Sequence, residues 1–170
     1  MELRDYNGEG IWTLENILCR YGDYCRRLSV VPAPLKPREH QDGDVLWRYP
    51  MMDEVLGLIR KGDLAAVELG VELVLDDARM AFGKLLKSRA ARLLRHCRLT
   101  PVHAAALRDR FVQMLLAGQV PHEFKEYVKL LRKVGVGERW PDIEKGIDRR
   151  NRYVMRHYEY LKRHAGPENR

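Results

Sequence analysis

Apolar residues recur at three- and four-residue steps through most of this chain, the spacing of one helical face. The pattern is densest from Met51 to Asp77, MMDEVLGLIRKGDLAAVELGVELVLDD. Val55, Leu58 and Ile59 share a face, and Pro50 suits a helix start, where its missing N–H costs nothing. Gly62 suits a stop, because glycine enters the left-handed region without a Cβ clash, and Asp63 follows as an N-cap. Leu64, Val67, Val71, Leu73, Val74 and Leu75 give the next helix a broad apolar face. Gly70 inside it costs roughly 1 kcal/mol against Ala unless it admits a close neighbour. Two short helices folded back on each other are expected here.

Around this hairpin the periodicity predicts further helices. Thr13 is an N-cap for Leu14, Ile17, Leu18 and Tyr21, with Trp12 packing back on the first turn and Gly22-Asp23 ending or bending the helix. Residues 1–10 are polar and are expected to fray. Pro32, Pro34, Pro37 and Pro50 oppose regular structure, so residues 30–50 read as an extended arm anchored by Trp47 and Tyr49. From Ala78 to Arg98, Phe82, Leu86, Ala90, Leu93, Leu94 and Cys97 share a side, with Ser88 as a possible break. Thr100-Pro101 starts a helix that Gly118 ends, Pro121 opens another that Gly135 closes, and Pro141 opens the last. That last helix carries Ile143, Ile147, Val154, Tyr158 and Leu161, interrupted by Arg150 and Asn151, and the tail 165–170 reads as loose.

No Asn-Gly hairpin lies between alternating strands. The expectation is an all-α protein of six to eight helices stacked as antiparallel hairpins, with essentially no sheet. It reads as one domain in three parts: an N-terminal helix and proline-rich arm over 1–50, a hairpin core over 51–137, and a basic helix and tail over 138–170.

The run LGLIRKGDLAAVELGVELVLDD resembles the helical hairpins of bacterial HEAT-like repeat proteins, in which a Gly-Asp turn separates two Leu/Val-rich helices. The likeness covers about one hairpin, residues 51–77, and implies a protein-binding scaffold without chemistry of its own.

Charge changes the picture along the chain. The net charge is +7, with 32% charged and 45% hydrophobic residues among 170. Met51–Asp77 carries seven acidic and two basic residues, whereas Ala78–Arg98 carries seven basic and none acidic. Such asymmetry serves internal pairing, a protein partner or nucleic acid. No stretch is apolar enough to span a bilayer, and MELRDYNGEGIW is unlike a secretory signal, so a cytoplasmic location is expected. Cys19, Cys25 and Cys97 show neither disulfide nor zinc spacing and read as small core residues.

The motifs of chemistry are missing. No glycine run forms a phosphate loop, and neither HExxH nor GxSxG occurs. His96, His103 and His122 fall in separate elements, and His157 and His164 lie too far apart on a helix to clamp one ion. Asp76-Asp77 reads as a helix end. Asp142, Glu144, Glu123 and Glu126 follow prolines at helix starts, where the dipole favours negative charge. Neither an enzyme nor a cofactor is expected.

Two basic tracts remain as candidate contacts: Lys84, Lys87, Arg92 and Arg95, and then Arg149, Arg152 and Arg156 with tyrosines interleaved. Arginine among aromatics suits nucleic acid, since guanidinium meets phosphate and rings stack on bases. Tyr158, on the apolar stripe, reads as core. The expected role is a non-catalytic scaffold binding another protein through a charged surface; the alternative is a nucleic-acid-binding module using the same basic faces.

Overall fold

The computed structural model describes residues 1–165. It is mostly helical, with eight α-helices among the described residues: α1 (Leu14–Leu28), α2 (Met51–Arg60), α3 (Leu64–Leu75), α4 (Gly83–Leu94), α5 (Pro101–Leu116), α6 (Phe124–Val134), α7 (Trp140–Gly146) and α8 (Arg152–Ala165). The chain divides into two compact units, 1–97 and 98–170. Their boundary falls within the stretch read above as the hairpin core.

In the first unit α3 is central, packing against α1, α2 and α4. Its residues Ala65, Ala66, Leu69 and Leu73 are fully buried. Gly62 turns the chain at φ +86°, and Asp63 caps α3 by accepting from the Ala66 N–H at 2.9 Å. The same carboxylate accepts from the Tyr21 hydroxyl at 2.6 Å, tying α1 to the start of α3. Gly70 faces α2: a Cβ there would lie 2.5 Å from Ile59 Cδ1, which is the close approach that offsets its poor helix propensity.

Three expectations for this unit are corrected. Residues 1–50 contribute a small sheet, made of β1 (Glu2–Asp5), β2 (Glu39–Asp42) and β3 (Val45–Arg48) in the order β1-β3-β2. β2 and β3 form an antiparallel hairpin, Asp42 opposite Val45, and β1 pairs parallel to β3, Glu2 opposite Val45. The reason is the Gly43-Asp44 turn, in which Gly43 takes φ +55° and lets the strands close over two residues. Gly22-Asp23 neither ends nor breaks α1, which runs on to Leu28 and stops at Ser29 in the left-handed region. Phe82 is not on the buried stripe of α4. It precedes that helix at φ +57°, half-exposed, with its ring edge-on to Tyr6 at 5.4 Å.

Trp47 stacks on Tyr6, and Tyr49 lies under the Arg38 guanidinium, so both serve the sheet rather than the core. The proline-rich segment is held by the Ala33 N–H donating to the Tyr21 hydroxyl at 3.0 Å and by Arg38 paired with Asp53 of α2 at 3.3 Å.

The second unit packs α5 against α6 and α7, and α6 against α8. Thr100 and His103 form a reciprocal capping box at the start of α5. Arg108 donates to the carbonyls of Gly135 and Val134 at 2.6 and 3.0 Å, closing the C-terminal end of α6 with a cation. Phe111 and Tyr127 stack at 4.8 Å in the core.

Two helix boundaries are corrected here. α6 begins at Phe124, not Pro121. The last helix is two helices, because Asp148 and Asn151 side chains capture backbone N–H groups between them. Asp148 accepts from Arg150, and Asn151 accepts from Tyr153 and Val154, which caps α8. The expected loose tail beyond Ala165 lies outside the described residues.

Candidate functional site

The first basic tract lies only partly at the surface. Lys84 and Arg92 are exposed and Arg95 is half-buried. Lys87 is only 7% exposed. Its ammonium donates to the carbonyls of Asp76 and Ala78 at 2.5 and 3.1 Å, holding the α3–α4 connection against α4. Lys87 therefore leaves the list of contact residues. Arg89, in the same tract, is paired with Asp53 of α2. The acidic hairpin thus takes up part of this basic helix, and residues 1–97 balance at 15 basic against 15 acidic.

Lys87→Met keeps the side-chain volume and removes the charge. It is expected to destabilise the first unit by about 1.5–3 kcal/mol, the worth of hydrogen bonds from a charged donor. Urea unfolding of the full chain measures it.

The second tract is different. Residues 98–170 hold 16 basic and 9 acidic residues, so the whole net charge of +7 belongs to them. Arg149 lies in the break before α8, exposed, its guanidinium 5.9 Å from the Tyr158 ring centroid. Arg152 and Arg156 are exposed on α8 itself, and Tyr158 is buried as expected. Arg152 covers the Tyr153 ring at 4.8 Å and donates to its hydroxyl at 2.7 Å.

α6 contributes residues that the sequence reading missed. Lys125, Lys129 and Arg132 recur at four- and three-residue steps along its outer face. Arg132 donates to the Tyr160 hydroxyl at 3.1 Å, which brings the outer faces of α6 and α8 together. Between them α6 and α8 carry eight basic side chains; of their two carboxylates Glu126 is buried and paired with Lys129 at 3.5 Å, while Glu159 is exposed. The signal was available: KEYVKLLRK places its lysines and arginines on one side and its apolar residues on the other.

Burial against Phe124, with Arg156 alongside, holds His157 below the ordinary imidazole value. It is neutral at pH 7, and the positive face is made of Lys and Arg alone. The other histidines are dispersed: His103 caps α5, while His96 and His122 are exposed on separate segments. Among the described residues no three His, Cys, Asp or Glu side chains converge as a metal site. Asp76 accepts from the Trp12 indole at 2.6 Å, whereas Asp77 is exposed. The cysteines are free thiols: Cys25 is buried, Cys97 half-buried and Cys19 exposed, which places Cys19 outside the core expected of it. No described helix is long and apolar enough to cross a membrane. Comparison with protein-family models, with curated proteins and with solved structures finds no match for this chain.

Proposed function

We propose that this chain is a non-catalytic helical binding protein whose second unit engages nucleic acid through the outer faces of α6 and α8. One observation carries the reading: the entire net charge of +7 belongs to residues 98–170, and eight basic side chains are borne by these two helices. Each phosphate neutralised by such a face releases condensed counterion, so binding is expected to weaken steeply with salt.

Titration of labelled DNA and RNA with the full chain at low and physiological salt is the test. A loss of roughly tenfold or more in affinity between the two is expected if several phosphates are contacted. The pairs Arg152→Ala/Arg156→Ala and Lys125→Ala/Arg132→Ala should each reduce both the affinity and its salt dependence. No binding at low salt sinks the reading.

A second reading, the protein scaffold, is favoured by a different feature. Tyr6, Trp47 and Phe82 form an aromatic cluster at the small sheet, with Phe82 half-exposed in a left-handed backbone conformation that bulky residues avoid. Under this reading the antiparallel hairpins stack as in HEAT-like proteins, and the α2–α3 pair about Gly62-Asp63 is one such unit. The proline-rich segment serves as an arm, and the exposed Lys84 and Arg92 steer the partner. A protein retained by the native chain and lost with Trp47→Ala/Phe82→Ala would carry it.

A further inference from the structure

The outer stripes of α6 and α8 differ in chemistry. Lys125, Lys129 and Arg132 form a basic stripe in which Lys129 is paired with Glu126 at 3.5 Å, whereas Tyr153, Arg156 and Tyr160 alternate ring, charge and ring at three- and four-residue steps. The Arg132–Tyr160 hydrogen bond joins the two stripes. Tyr153 is 58% exposed, in contrast to Tyr158 on the buried side of the same helix.

We infer that this face binds single-stranded nucleic acid, Tyr153 and Tyr160 stacking on bases while Lys125, Lys129, Arg132 and Arg156 hold the backbone. The inference rests on the reading of the second unit as a nucleic-acid module and adds which strand state it takes. The two tyrosines lie two helical turns apart, about 10.5 Å along the axis. A duplex keeps its bases face to face inside the stack, at about 3.4 Å per step, and offers such rings no open base face. A single strand can splay its bases onto aromatic side chains while its phosphates follow a positive groove. Arg132 is already oriented by Tyr160, so its guanidinium meets a phosphate with little further ordering.

The test compares oligo(dT), oligo(rU) and the matching duplexes, with a fluorescent base analogue placed within the single strands. Single strands are expected to bind more tightly than duplexes, with quenching of the analogue as it stacks. Tyr153→Ala and Tyr160→Leu should each weaken single-strand binding by about 5- to 100-fold and relieve the quenching. Duplex binding should change little. Tyr160→Phe keeps the ring, loses the hydroxyl contact, and should retain most of the affinity. Circular dichroism melting confirms that each variant is folded. Preference for oligo(dT) or for oligo(rU) supports the inference and names the strand. Equal affinity for duplex, or folded tyrosine variants that bind and quench like the native chain, overturns it while leaving the nucleic-acid reading intact. Absence of salt-dependent binding to every probe removes both.

Discussion

Replacing Trp12 with Ala is expected to cost the first unit about 3–5 kcal/mol, the range for emptying a buried aromatic site. The indole is 1% exposed and sits immediately ahead of the Thr13 cap of α1. It does more than fill space: its N–H donates to the Asp76 carboxylate at 2.6 Å, linking the start of α1 to the end of α3. Arg20 covers the ring at 4.9 Å and is paired with Glu72 of α3, so a second link passes over the same side chain. Trp12→Phe separates the two roles. It keeps most of the volume and removes the hydrogen bond to a charged acceptor, which is worth about 1.5–3 kcal/mol.

The pH dependence gives an independent readout. Burial pushes the Asp76 carboxyl up, but hydrogen bonds from Trp12 and the Ala78 and Asp77 N–H groups, with the Lys87 ammonium nearby, outweigh it. The folded value ends below the ordinary carboxylate value. The carboxylate therefore contributes stability above its unfolded pKa, and that contribution is lost as pH falls through the depressed folded value. Trp12→Phe should flatten the acid limb of the stability curve. Urea unfolding of both variants across the acid range checks the result, and an unchanged limb would show that Asp76 is held by its other partners alone.

Phe124→Ala should have a comparable effect in the second unit, again about 3–5 kcal/mol. The side chain is fully buried and its ring meets two others edge-on, Tyr127 at 6.1 Å and His157 at 5.0 Å. It is where α6 and α8 touch beneath their charged outer faces. Removing it admits water beside His157, whose low value comes first from burial, so that value should rise towards the ordinary one. Proton resonances of the imidazole follow this directly. The nucleic-acid affinity proposed for this face should fall as well, because the α6 and α8 stripes meet over this packing. Phe124→Leu should lose less in every measurement, since an apolar side chain of nearer volume still spaces the helices.

Helices were legible where cap and period agreed. Asp63 and Thr100 begin their helices as read, and Gly70 admits Ile59 as its place in an apolar helix implied. Boundaries failed where side chains competed for backbone: Asn151 and Asp148 take N–H groups that one continuous helix would have used. The sheet was missed because its turn is Gly43-Asp44 and its edge strands are mostly polar, so no alternating apolar pattern announced it. Lys87 was misread for a related reason. A helical wheel counts a lysine as solvent-facing, and only the path of residues 76–78 reveals two carbonyls waiting above it. The α6 stripe is hard to read because its basic residues are spaced along a short amphipathic helix, whereas the arginines of 149–163 stand in a dense run.

The strand order β1-β3-β2 has a practical consequence for making the protein. Glu2–Asp5 leaves the ribosome long before Val45–Arg48, the strand it must join, and has no other partner in the sheet. Until then the backbone groups of residues 2–5 lack the strand that will pair with them. Clipping them would bare one flank of β3, an invitation to the strand of another molecule and so to aggregation. Substitutions that break the pairing of Glu2–Asp5 with β3 are therefore expected to favour aggregation.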